Sequence, residues 1–546
     1  MTRYRSAARL LLLAGVLSAT LAAGCKSVLV ITETSLGPLP AGVAPESVVI
    51  SPDARHVFWK VSRGTKTVVV ANGAEGKEYD KVFSFPPVFS PDGRRWGYTA
   101  QRGEKRYLVL DGQECAPACD RIGGKGPVFS PDSRRVACYI WLGDHSYVLV
   151  DGVVGPPFDP KGMGDLFFSP DSRHVAYWGI VDGKTRVVRD QRMFDGVYDY
   201  LGSTGFGFSP DSRRLVWIGF RGGKQFAVVD GAEGPPFDAL ASESGIQFSA
   251  DSRHWAYGAR NGEKWKAVID GVEGPWYDGL DSTGVAFGPD GRTAYKADRQ
   301  GKDLIVTGGR EVPLGGVLQK PGCFFDRAGR LHYAIRVRNQ KRVVVDGKEG
   351  ELFDHFSQDS PRISPDGSRV AWKIIRGQEW FLLIDGAQIG PCVNIAEGDP
   401  FFSSDSQRYA YQVFLPHGRC QMVLDGKPLR EPGAQAFGQF SPDGRHFAFG
   451  EWHGEKACVI LDGAPGKEYD GGVRCLLFGP DSRHLAYGAH SGDRNLLVVD
   501  GLESPGYDDI PKDVSISFSS PTSVHAVFIK NGAFVLVRAE LRLTCL

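Results

Sequence analysis

The chain has 546 residues, with 64 basic side chains balanced by 64 acidic ones. That balance argues against a nucleic-acid partner held by bulk electrostatics. Its 70 glycines and 34 prolines punctuate the sequence too often for long helices, so an all-β fold is expected.

Residues 1–24 read as an export signal: Arg3, Arg5 and Arg9 form the basic end, and Leu10 to Leu21 form an apolar core short for a bilayer span. The run Leu21-Ala22-Ala23-Gly24-Cys25 resembles the lipobox of bacterial lipoproteins, although the favoured Leu stands one place early. The resemblance implies cleavage before Cys25 and lipid attachment there. Ordinary cleavage near Ala22 or Ala23 is the alternative. By the sorting rule of enteric bacteria, Lys26 implies the outer membrane, with the protein facing the periplasm. Losing the leader leaves 61 basic against 64 acidic residues, a net charge of −3. Residues 25–46 are then a lead-in, with a strand over Ser27 to Thr34 and a Pro/Gly/Ala-rich linker over Leu36 to Pro45.

From residue 47 onward one motif recurs. Phe206 to Asp238 shows it well, as FGFSPDSRRLVWIGFRGGKQFAVVDGAEGPPFD. It contains a short apolar run, a Ser-Pro-Asp-Ser turn, two longer β-prone runs, an Asp-Gly hairpin and a last short run near Phe237. Four strands in about 39 residues describe one blade of a β-propeller. The turn aspartate recurs at Asp53, Asp92, Asp132, Asp171, Asp211, Asp251, Asp290, Asp366, Asp405, Asp443 and Asp481. A degenerate copy fills the gap at Asp326, and a partial one begins at Phe518. In the second strand, Tyr177, Trp217 and Tyr257 each follow a small or β-branched residue such as Ala176 or Ala256. A small residue where a wet sheet would be polar predicts that both faces of the blade are covered by neighbours.

Because propellers commonly close at four to eight blades, two tandem rings of seven and six are expected, over residues 47–318 and 319–546, with a split of six and seven or one large ring as the alternatives. The boundary falls in Thr307 to Cys323, where the motif is weakest. The strand over Ser27 to Thr34 is a candidate to close a ring by joining the two ends of the chain.

Phe129-Ser130-Pro131-Asp132, Phe168-Ser169-Pro170-Asp171 and Phe440-Ser441-Pro442-Asp443 resemble the TolB-like group of bacterial, WD-repeat-like propeller repeats. The resemblance covers nearly all of residues 47–530 and implies the fold. Its members include periplasmic scaffolds, sensors and enzyme appendages, so it specifies no activity.

No Gly-x-Ser-x-Gly, His-Glu-x-x-His or EF-hand loop occurs, and no catalytic residue, metal site or cofactor is assigned. Cys115 and Cys119 flank a proline in one hairpin and are candidates for a disulfide in an oxidising compartment. The sequence leads to a non-enzymatic envelope lipoprotein that binds a protein partner and meets the membrane through Cys25. The competing reading is a carbohydrate or small-ligand protein using a propeller channel. For that reading, the edited repeats seven to ten offer His332, His355, Trp380 and His417.

Overall fold

The computed structural model describes residues 25–38, 48–123, 126–202, 204–241, 243–415, 419–431, 433, 437–510 and 516–545. The export signal, most of the expected linker and His417 lie outside them, as does the side chain of Cys25. The described residues form thirteen antiparallel sheets and no helix. Each sheet is one copy of the motif.

Blade 5 shows the construction. Its first strand is split into Tyr200–Leu201 and Gly207–Phe208, and is followed by Leu215–Arg221, Lys224–Val229 and Ala232–Glu233. The outer strand therefore comes directly after the Asp-Gly hairpin rather than at Phe237. Phe237 instead bridges to Gln225 beyond a Gly-Pro-Pro bulge. First strands of neighbouring blades approach one another, as Val128–Phe129 does Met163–Phe168, which places them on the hub side. Because the strands alternate in direction, the Ser-Pro-Asp-Ser and Asp-Gly turns lie on one face of the ring. The second-to-third-strand hairpins lie on the other.

The small residues of the second strands pack as their periodicity implies. Ala137, Ala176 and Ala256 are buried against Tyr177, Trp217 and Tyr295 of the following blades. Side chains at successive strand positions point to opposite faces, so each blade offers a flat small face to one neighbour and a large aromatic to the other.

The packing corrects the expected division into two rings. Thirteen hydrophobic clusters join the thirteen blades in succession. The junction between blades 7 and 8, at the proposed boundary, has its own: Ala294 and Ile305 pack on Leu331, Tyr333 and Ile335. The ring closes once, where Val527, Ile529 and Phe534 of blade 13 meet Val57, Trp59 and Val68 of blade 1. Loss of the Asp-Gly hairpin near residue 308 weakened the motif in sequence without removing the apolar faces that bind one blade to the next.

The N-terminal strand is longer than expected and belongs to the last blade. Cys25–Pro38 pairs antiparallel with Ala533–Cys545 and forms the outer strand of blade 13. The two ends of the chain thus complete one sheet.

Candidate functional site

Most repeated polar residues are occupied in holding the ring. In the Ser-Pro-Asp-Ser turn of blade 3, the Ser130 hydroxyl donates to Asp132 Oδ1 at 2.6 Å, and the same oxygen accepts from the Arg134 amide at 3.1 Å. These bonds hold the Asp132 carboxyl below its ordinary value. The second serine of the turn reaches the preceding blade. Ser133 Oγ accepts from the Asp92 amide at 3.0 Å, and Ser172 Oγ from Asp132 at 2.9 Å. Ser212 and Ser252 repeat the bond, toward Asp171 and Asp211.

The Asp-Gly hairpin has a second purpose. Asp230 (φ 50°) and Gly231 (φ 89°) make a turn with both central residues left-handed, the geometry that suits a two-residue hairpin. Asp151 Oδ1 accepts from the Val136 amide at 2.9 Å, capping the start of the second strand, while its other oxygen pairs with Arg135 at 2.8 Å. Histidine replaces that arginine in other blades, as in the His174–Asp190 pair at 2.6 Å. On the opposite face, Asp199 joins Lys184 of its own blade and accepts from the Gly222 amide of the next at 2.9 Å. These three uses account for the recurring aspartates without a ligand. Among the described residues no group of three His, Cys, Asp or Glu side chains is placed to hold a metal ion.

Departures from this plan concentrate in blades 8 to 10. His332, Trp380 and His355 do not converge there. His332 is buried, stacks on Phe324 with centroids 5.3 Å apart, and bonds Asp326 at 3.0 Å. It lines a cleft of about 330 Å³ with Arg330, Asp346, Trp372 and Asp385. Trp380 packs against the cluster joining blades 9 and 10, and His355 is exposed on the split first strand of blade 9.

A larger cleft, about 550 Å³, opens between blades 9 and 10. Leu382, Ile389, Tyr411 and Val413 supply apolar walls, and Glu379 and Gln421 supply polar groups. The Cys392 thiol in its lining donates to the Trp380 carbonyl at 3.2 Å, and burial pushes its pKa up to about 11, so it is held as a thiol at neutral pH.

The sequence reading missed a buried charge cluster in the same blades. Lys373 is 1% exposed and donates to Asp359 Oδ2 at 2.7 Å and to the Ala396 carbonyl at 2.9 Å. Burial raises the pKa of Asp359, but Lys373, Ser357 and the Gly398 amide outweigh it and bring the carboxyl down to about 2. Asp399 is also buried, and desolvation dominates there, raising it to about 7 despite the Gln412 amide, Lys373 and Arg362. Lys373 thus stands near two carboxyl groups, and the second stays protonated up to neutrality. No sequence signal singled it out, since Lys60 after Trp59 and Lys296 after Tyr295 stand at the same second-strand position in blades 1 and 7.

Cys115 and Cys119 stand as separate thiols, with Cys119 buried and its pKa raised to about 11 by burial. Trp276 is exposed under the Lys266 ammonium, 3.7 Å above its ring, whereas Trp452 packs into the junction of blades 11 and 12.

No family model matches the chain, and no curated protein matches it. Similar solved structures include a eukaryotic initiation factor, 14% identical, covering 58% of this chain and 91% of that one with a TM-score of 0.29. The Dos1 propeller is 9% identical over 69% of this chain and 92% of its own, with a TM-score of 0.24. The Cps50 (Swd1) β-propeller domain of Myceliophteria thermophila is 10% identical over 54% and 94%, with a TM-score of 0.18. Superpositions this loose carry no argument about function, and the propeller assignment rests on the chain's own thirteen-bladed ring.

Proposed function

We propose that this chain is a non-enzymatic, lipid-anchored scaffold of the cell envelope, held at the outer membrane through Cys25 and facing the periplasm, that docks a protein partner on its rim. The observation carrying the docking reading is a run of exposed apolar side chains on the outer strands and following bulges of blades 6 to 8. Val272 is 72% exposed and is accompanied by Trp276, Val312 and Leu352. The outer strand Arg310–Pro313 beside them is exposed along its whole length. An apolar rim beside a strand whose outer edge is unpaired suits a protein partner that adds backbone hydrogen bonds and covers the side chains. The lipobox-like sequence supports the anchor.

The test is crosslinking and pull-down from envelope membranes with the native chain, with Cys25→Ala and with Val272→Asp/Val312→Asp. The reading expects a partner captured by the native chain and lost with the rim variant, and Cys25→Ala released from the membrane. Equal capture by native and rim variant sinks the docking surface. A second reading rests on the cleft between blades 9 and 10, whose apolar walls and two polar groups fit a small ligand. A small molecule retained by purified native protein and lost with Val413→Trp would favour it.

A further inference from the structure

The closing sheet extends beyond the ring on one side only. In blade 13 the third strand runs to Cys545, whereas its second strand begins at Ser523, opposite Glu540. The five pairs from Leu29–Leu541 to Cys25–Cys545 therefore have no second strand beside them. At strand rise they make a two-stranded ribbon roughly 15 Å long. The ribbon leaves the ring beside the turn between the first and second strands, where the Leu541 amide donates to the Thr522 carbonyl at 2.9 Å. It thus projects from the face that carries the Ser-Pro-Asp-Ser turns.

That face has a repeated outermost group. The arginine two places after many of the turn aspartates points outward: Arg213 is 86% exposed, Arg173, Arg253 and Arg445 nearly as much and Arg94 less, whereas Ala328, Ser368 and Gln407 replace it in blades 8 to 10 and leave an arc rather than a closed circle. Each has the aspartate of its own turn 3.8–4.0 Å away, and that carboxylate is already committed to a serine hydroxyl and a backbone amide. The ribbon adds Lys26 and Arg542, the latter paired with Glu540, and exposes Val28 on the face of these two cations and Leu543 on the other face. A ribbon that exposes one apolar side chain on each face beside cations, in front of an arc of guanidinium groups, has the chemistry of an interface with anionic lipid.

We infer that the ring lies with its Ser-Pro-Asp-Ser face toward an anionic phospholipid surface, held by the seam ribbon and by the arginine arc. The inference rests on the anchor reading of Cys25. Cys25 is the first residue of the strand, so the attachment point is separated from the ring by paired backbone rather than by a flexible tether. Such an anchor fixes which face meets the membrane.

The experiment places a photo-crosslinking amino acid at Arg253 or at Glu263 in the full envelope protein. Both residues belong to blade 6, in turns on opposite faces of the ring. The protein is reconstituted on vesicles of phosphatidylcholine with phosphatidylglycerol, and its N-terminal peptide is weighed. The expected result is an acylated Cys25, phospholipid adducts from position 253 and none from position 263. Adducts from 263 alone, from both sites equally, or from neither, with Cys25 acylated, overturn the orientation and leave the anchor standing. An unmodified Cys25 takes the anchor and the orientation down together. On vesicles of phosphatidylcholine alone, the adduct at 253 should fall severalfold; an unchanged yield overturns the role of the arginine arc.

Discussion

The Tyr507 hydroxyl donates to Glu33 Oε1 at 3.1 Å, across 474 residues of sequence. Elsewhere the same bond joins ordinary neighbours: Tyr79 to Glu114, Tyr198 to Glu233 and Tyr469 to Glu503. A cation completes each group, Lys530 for Glu33 and Arg221 for Glu233. The first described strand thus occupies the place that an outer strand holds in the other blades, and the seam repeats the chemistry of the continuous junctions.

Glu33→Ala leaves the hydroxyl of the buried Tyr507 and the Lys530 ammonium without their acceptor. The expected cost is about 1–3 kcal/mol. Glu233→Ala should cost a similar amount, but only the seam variant should free an end of the chain. Amide exchange in Cys25–Pro38 should accelerate in Glu33→Ala and stay at its native rate in Glu233→Ala. Equal exchange in the two variants would show that this contact does not hold the seam.

Ser212 separates two roles that the sequence joins in one residue. Its φ of 66° lies where glycine is favoured, yet its Oγ accepts from the Asp171 amide of the preceding blade at 3.0 Å. Ser212→Gly loses the acceptor but relieves the backbone. Ser212→Ala loses the acceptor and keeps the strain. Both should lower stability, alanine more than glycine by about 1 kcal/mol, measured as denaturant midpoints at constant slope. Alanine equal to or better than glycine would refute the account.

The blade was legible in sequence because its constraints are local. The spacing of Asp132, Asp171 and Asp211, the β-prone runs and the small residue before Tyr177 each follow from one copy of the motif. Ring size was not legible, because it depends on a small angle between packed sheets that no residue states. Ala294 against Tyr333 at blade 7 is the same contact as Ala176 against Trp217 at blade 4, so a ring boundary inferred from a lost hairpin had no support in the packing. The edited repeats did mark the unusual sector, but His332 drew attention ahead of Lys373. A lysine in the middle of a strand reads as exposed until the sheet above it is known.

Native-state alkylation should separate the thiols of blades 2 and 3. Burial raises Cys119 to about 11 and raises Cys138 further. With iodoacetamide at neutral pH, both should stay unmodified while the protein is folded and react once denatured. Intact mass also tests the candidate bridge: a loss of two hydrogens, with Cys115 and Cys119 both protected after denaturation without reductant, would establish a disulfide between them.

Two buried groups should tilt the pH–stability curve in opposite directions. Asp399 titrates near 7 in the folded chain against an ordinary 3.8, so the folded state holds the extra proton and stability falls as pH rises between those values. His525, in the second strand of blade 13, is driven down to about 4 by burial and by Arg55 and Arg538, outweighing Asp53 and Glu540. Its unfolded value is near 6.5, so stability is full above that pH and is lost as pH falls toward 4. Each contributes at most roughly 1.4 kcal/mol per pH unit, and over about pH 4 to 6.5 the two slopes cancel. Asp399→Asn should remove the falling slope, leaving a chain that gains stability with pH and whose advantage over the native chain grows from about pH 4 and is full by about pH 7. His525→Gln should do the reverse and protect the chain in acid. Urea midpoints across this range measure both, and parallel curves for the native chain and either variant would show that the group does not titrate as its burial implies.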